Sequence, residues 1–275
     1  MPPSLKECDP QPVDSRRTGV WLFIVPSVLM AALFGIPLFA LVWRGVHSDF
    51  LGHLLSPAAF TALRLSLGTS LVSVLVILMA GTPLAYLLAV KRFPGRHLVE
   101  LLIDLPIVLP PSVAGLALLM AFGRRGLLGS TLAFFGISLP FTTAAVVVAQ
   151  IFVAAPFFIR AARMGFASVD RHMAELAVTE GAGSWQLFWN VMLPLCRRPI
   201  LNGLILSWTR ALGEFGATIL FAGNLAGRTQ TMPLAIYMGF ERDLGVVLAL
   251  SLFLLLFSAL LLALLRHFES RQTGY

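Results

Sequence analysis

Six stretches of this sequence, Trp21 to Trp43 and, within a few residues, 62–90, 101–122, 142–159, 200–222 and 244–265, are each apolar over roughly the length that crosses a bilayer. A transmembrane helix needs about 20 mostly apolar residues at 1.5 Å each to span a hydrocarbon core of about 30 Å. The sequence therefore predicts an all-α, polytopic membrane protein with six transmembrane helices. Composition leaves little room for anything else. Of 275 residues, 58% are hydrophobic and 12% charged, whereas a soluble domain carries about 25% charged residues. The 20 basic and 13 acidic side chains are too few to keep a large soluble domain wet.

The first stretch is bracketed by Trp21 and Trp43, whose rings favour the headgroup level. Gly81-Thr82-Pro83 predicts a kink in the second. Pro106, Pro110 and Pro111 interrupt the first half of the third, and such a segment survives at membrane depth only where protein or a polar cavity covers its freed carbonyls. Orientation follows from Lys and Arg. The head, the second and fourth connections and the tail hold thirteen, while the first, third and fifth connections hold six. Both termini are expected on the cytoplasmic side. The first nineteen residues lack the apolar core of a cleavable signal and read as a retained tail. Cys8 and Cys196 suggest no disulfide framework, only free thiols in a reducing cytosol.

Several chemistries are excluded. Both lysines, Lys6 and Lys91, lack a preceding glycine, so there is no phosphate-cradling GxxxxGK loop. The five histidines are scattered without ligand spacing, and no Gly-x-Ser-x-Gly elbow occurs. Energy for any work comes from an ion gradient or from a partner.

The fourth connection, about 160–199, is the longest and too polar to span. Ser168, Val169 and Asp170 supply helix-capping chemistry before His172 to Val178, Gly181 and Gly183 end that helix, and Trp185 to Met192 starts an amphipathic second one. The pattern alone fits either a projection that meets a partner or a hairpin lying on the membrane surface. Its spacing, Glu175-Leu176-Ala177, three residues, Gly181, nine residues, then Val191-Met192-Leu193-Pro194, resembles the EAA signature of permease subunits of binding-protein-dependent ABC importers. The resemblance implies a cytoplasmic coupling helix seated in a separate ATPase subunit. Glu175, Ala177 and Gly181 would form the core of that contact, with Asp170, Arg171, Leu193 and Pro194 beside it. Leu176 departs from the usual alanine, and Glu180 precedes the glycine.

Ser207 to Tyr237 reads SWTRALGEFGATILFAGNLAGRTQTMPLAIY. This is similar to the molybdate/tungstate branch of that importer family, and nearly as similar to its sulfate/thiosulfate permeases. Independently of the resemblance, charge inside a span costs about 2.5–3.5 kcal/mol per residue and is functional by default. Arg210 and Glu214, four apart, can pair on one helical face. Ser207 and Thr218 continue roughly that face, and the second span offers Ser66, Ser70 and Ser73 with Thr69 beside them. These residues line either a pathway or a helix contact, and the ion pair either gates or fixes helix position. A tetrahedral dianion favours weak, repeated hydroxyl and amide contacts over one deep trap; the hydroxyl row, with Asn224 at the outer mouth, fits that requirement.

The resemblance implies a molybdate or tungstate permease that works as a homodimer with two ATP-binding cassette ATPase subunits. No cofactor is expected in this chain; ATP and Mg belong to the ATPase subunits. An extracytoplasmic molybdate-binding protein docks outside, membrane lipid surrounds the spans, and no nucleic acid is involved. The location implied is the bacterial or archaeal cytoplasmic (inner) membrane. The expected organisation is a cytoplasmic tail over 1–19, a transmembrane domain over 20–268 and a second tail over 269–275. Three alternatives stand beside this reading: a sulfate/thiosulfate importer permease, an ion-gradient-driven secondary transporter and a non-transporting scaffold. The secondary transporter predicts paired broken helices, and the sequence displays one proline-broken stretch.

Overall fold

The computed structural model describes residues 20–270, and the two expected tails over 1–19 and 271–275 lie outside them. Every element among the described residues is helical. The chain divides into two units, Met1–Arg44 and Gly45–Tyr275. The first is represented by most of α1 (Val20–His47), which carries Pro26 and Pro37 within it and, from Leu22 to Phe39, is apolar apart from Ser27, whose hydroxyl donates to Phe23 O of its own helix. Such a helix suits lipid on all sides.

The second unit opens with a short α2 (Phe50–Leu54) and then α3 (Pro57–Val90), which packs with α7 (Thr143–Ala167) and α11 (Arg197–Leu212). Local chemistry sets the helix starts. Ser56 Oγ accepts the Ala59 N–H at 3.4 Å with Pro57 at the first helical position, and Thr142 Oγ1 accepts the Ala145 N–H at 3.2 Å. Small residues then let the helices approach, because apolar side chains gain little from one another in lipid. Gly81 lies against Phe158, and Gly203 against Ala161. Around them Ile77, Leu88, Phe158, Phe166 and Met192 form one buried core. Leu212, Met232 and Leu250 anchor another, which includes α13 (Met232–Gly239) and α14 (Leu244–Ser270).

Among the described residues, four helices are long and apolar enough to cross a membrane: Leu22–His47, Pro57–Val90, Thr143–Ala167 and Leu244–His267. The third and fifth predicted spans are each divided. The third becomes α4 (Arg96–Val108) and α5 (Pro111–Phe122), separated where Leu109 and Pro110 are held extended by the prolines that follow them. Pro106, Pro83 and Pro156 stay inside helices; Thr82 Oγ1 donates to Leu78 O at 2.6 Å one residue before Pro83. The fifth, expected to be continuous over 200–222, ends as α11 at Leu212 and restarts as α12 (Gly216–Phe221). The cause is local. Glu214 Oε1 accepts the Ala217 N–H at 2.8 Å, the amide that an unbroken helix would give to Gly213 O, and Gly213 itself favours helix weakly. The short α6 (Gly129–Phe134) lies between α5 and α7. The fourth connection also begins later than expected, because α7 runs on to Ala167.

Candidate functional site

The projection between α7 and α11 is built from its caps. Asp170 Oδ1 accepts the His172 N–H at 3.0 Å and opens α8 (Arg171–Thr179). Gly181 takes φ +87, and the Ala182 N–H reaches back to Ala177 O at 2.9 Å. This six-to-one closure needs a left-handed residue after the helix, so the glycine is a geometric requirement. The chain then turns through Gly183, whose N–H donates to Gln186 Oε1 at 2.9 Å, into α9 (Ser184–Gln186). A π-helical turn over Leu187–Met192 follows, then α10 (Leu193–Leu195). The predicted regular helix over Trp185 to Met192 is thus widened. Pro194, at the next turn, has no N–H to give Asn190 O, and the Leu193 N–H bonds instead to Phe188 O.

One face of this projection is rooted and the other is presented. Phe188 meets Tyr86 of α3 at 4.9 Å between ring centroids, Tyr86 meets Phe166 of α7 at 5.4 Å, and Met192 is buried. Leu193 packs on the same core, so it belongs to the root, while Pro194 is exposed. Met173, Leu176 and Trp185 are exposed apolar side chains, the Glu175 side chain is 71% exposed, and Ala177 is half-buried. The side chain of Arg171 lies outside the described residues. Behind α8 is a cavity of about 740 Å³ whose walls include Tyr86, Arg92, Phe166, Glu175 and Met192.

Sequence reasoning missed an ionic clamp at this end. Glu100 Oε1 of α4 receives Arg163 Nη1 of α7 at 2.6 Å and Arg96 Nε at 2.9 Å, and Asp104 Oδ1 receives Arg160 Nε at 2.9 Å. The hydrogen bond from Arg96 holds the Glu100 carboxyl below its ordinary value; partial burial opposes this and the Arg163 charge adds to it. The available signal was two acids four apart on α4 facing two arginines three apart on α7. Burial pushes the Cys196 thiol, at the junction of projection and α11, up to about 11.

The polar row makes contacts between helices. Ser66, Thr69, Ser70 and Ser73 are all buried. Ser66 Oγ accepts the Met232 N–H at 2.6 Å, Ser70 Oγ accepts Trp208 Nε1 at 3.0 Å, and Ser73 Oγ donates to Gln150 Oε1 at 2.9 Å. Thr69 Oγ1 bonds its own helix at Leu65 O, 2.9 Å, and Ser207 Oγ donates to Ala154 O at 3.0 Å. Arg210 and Glu214 do pair, Nη1 to Oε2 at 2.8 Å, even though α11 has ended between them. Thr218 is buried on α12, and Asn224 is partly buried in the loop that follows.

The second helix break answers the first. Gly216, opening α12, lies so close to Pro111, opening α5, that a methyl group at 216 would overlap it; a methyl at Gly115 would overlap Ala217. The expectation of one unmatched broken span is corrected, since the two interruptions pack together and cover each other's irregular backbone.

A family model described as "binding-protein-dependent transport system inner membrane component" matches residues 81–274. The molybdenum transport system permease protein of Mycobacterium tuberculosis is 39% identical over 251 residues, covering 90% of this chain and 93% of that protein. A probable sulfate transport system permease protein of Chlorokybus atmophyticus is 32% identical, covering 88% of this chain and 89% of its own length. Among solved structures, a chain of a bacterial alginate ABC transporter superimposes with a TM-score of 0.75 at 17% identity, covering 94% of this chain and 96% of that one; at that identity the likeness concerns the fold.

Proposed function

The chain belongs to the binding-protein-dependent transport system inner membrane components, and from that premise we propose that it is the permease subunit of an ATP-driven molybdate importer. The observation that carries the substrate is the 39% identity, along nine-tenths of the chain, to a molybdenum permease. The geometry supports the coupling role. α8 is a short helix, fixed by Asp170 at one end and Gly181 at the other, presenting Met173, Glu175 and Leu176 to a partner while Phe188 and Met192 root it in the helices.

In this reading two copies of the chain form the pathway, and two ATPase subunits, which hold ATP and Mg, each receive one projection. Both termini and the projection face the cytoplasm, and an extracytoplasmic molybdate-binding protein delivers the dianion from outside. The structure brings Arg96 at the start of α4 together with Arg160 and Arg163 near the end of α7, which supports that orientation. ATP binding draws the two projections together, and the spans they continue into turn the pathway outward; hydrolysis reverses the motion. Tungstate, a near-isosteric dianion, is carried by the same route.

The test is molybdenum content of cells lacking the gene, grown at limiting molybdate with sulfate varied. Loss of cell molybdenum that returns with the wild-type gene supports the reading. Normal molybdenum with defective sulfur uptake favours the second reading, a sulfate permease, which the sulfate relative motivates.

A further inference from the structure

The Arg210–Glu214 pair is built asymmetrically: Glu214 is 1% exposed and Arg210 31%. The carboxylate has one hydrogen bond and one ion-pair contact. Its Oε1 takes the Ala217 N–H at 2.8 Å in the first turn of α12, and its Oε2 lies 2.8 Å from Arg210 Nη1. Here the acid is locked and the guanidinium keeps an open side. An arginine inside a span that faces lipid carries the insertion cost of an intramembrane charge, which favours an open side turned to the second copy or to a watered route. From Pro199 to Ala222 the sequence offers no other charge. The site also lies beside the place where Gly216 and Pro111 bring the two helix interruptions together.

We propose that Arg210 is a passing contact for the transported oxyanion and that Glu214 is its resident competitor. The inference rests on the importer reading and deepens it. A guanidinium has five N–H donors in a fixed fork, a shape that suits tetrahedral oxyanions, and one edge stays occupied by Glu214 while the rest is presented. An unneutralised arginine would hold a dianion too long for conduction. The fixed carboxylate nearby weakens that grip, so each ion binds and leaves. Because Glu214 is also held by the Ala217 N–H, it stays in place while Arg210 turns to the ion, and the arginine returns to it afterwards. No covalent step is involved.

The test uses the assembled permease–ATPase complex in lipid nanodiscs, free of binding protein, with radiolabelled molybdate as probe. In Glu214→Gln the amide oxygen still caps α12 but the competing charge is gone, and molybdate binding tightens at least about tenfold while uptake in proteoliposomes supplied with the binding protein slows. The double variant with Arg210→Gln loses the gain. Independently of any variant, molybdate protects Arg210 of the wild-type complex from phenylglyoxal, read by peptide mass spectrometry. A wild-type complex that carries molybdate yet gives no protection at Arg210 overturns the proposal, as does Glu214→Gln with unchanged molybdate binding. A complex that carries only sulfate, and whose Arg210 is protected by sulfate, leaves the anion contact standing and overturns the molybdate reading instead.

Discussion

Removing the negative charge of Glu100 isolates what the ionic clamp between α4 and α7 contributes. Its Oε1 accepts a hydrogen bond from Arg96 at 2.9 Å and lies 2.6 Å from Arg163 Nη1 in an ion pair, and its side chain is 18% exposed. Hydrogen bonds to charged groups contribute about 1.5–3 kcal/mol each, roughly twice the neutral kind. Glu100→Gln keeps an acceptor but loses the charge, which halves the one charged hydrogen bond and removes the attraction of Arg163, so about 2 kcal/mol is the expected destabilisation. The neighbouring Asp104–Arg160 pair is 36% and 54% exposed, and solvent screening limits it to about 1 kcal/mol or less. Thermal unfolding of the purified permease–ATPase complex should therefore rank Glu100→Gln well below Asp104→Asn in stability. The pH dependence has a definite sign. The folded carboxyl titrates below its ordinary value of 4.5, so its contribution is fully present above that pH and is lost as pH falls through the depressed folded value. The stability of Glu100→Gln should fall less steeply over that acid range than the wild type's. Because Arg163 lies on the helix that leads into the projection, the variant should also hydrolyse more ATP per molybdate imported. Equal destabilisation by the two variants, or an unchanged coupling ratio, would refute this account of the clamp.

Gly181 has a left-handed φ with open space around it, so Gly181→Val is strained by backbone alone, by about 1–2 kcal/mol. It should weaken ATPase co-purification while the permease still inserts, and undiminished co-purification would remove the geometric argument. Cys196, buried with its thiol pushed up to about 11, stays protonated at neutral pH. It should resist maleimide in the folded protein and react after denaturation in SDS. Ser207→Ala removes one interhelical bond and is expected to cost only about 0.6 kcal/mol, so uptake near the wild-type rate is the outcome; a large transport defect would assign that hydroxyl to the pathway instead.

Periodicity made much of this molecule legible. Ser66, Ser70 and Ser73 share one face of α3 by spacing alone, yet spacing does not reveal what the face meets. Its partners, Met232, Trp208 and Gln150, are supplied from distant elements. The clamp shows the same limit, since each charged pair follows from helical spacing and the match between α4 and α7 does not. Gly181 was legible because one residue's backbone demand is local. The break after α11 was not, because an apolar run from Ile200 to Ala222 has the pattern of a continuous helix; the decisive event is a carboxylate taking an amide three residues ahead. The ion pair was nevertheless anticipated, because a turn closed by the Glu214 N–H on Ala211 O at 3.2 Å keeps residues 210 and 214 close after the helix has ended.

That same break gives the projection a mechanical target. α10 and α11 meet at Cys196, which is buried against the core that holds Phe188 and Met192. From there α11 runs sixteen residues without interruption, a lever of about 24 Å at the helical rise. Arg210 is carried in its last turn, directly before Gly213. A displacement imposed on the projection therefore travels along one hydrogen-bonded helix and is first released where the backbone is irregular, at Gly213 to Phe215. Glu214 does not travel with it as freely, because its carboxylate is tied to α12, which packs on α5 through Gly216 and Pro111. Motions of α11 against α12 would thus act on the distance between Arg210 and Glu214. On the proposed reading, an ion pair placed across the joint would convert movement of the projection into a change in how much of the arginine is offered to an anion.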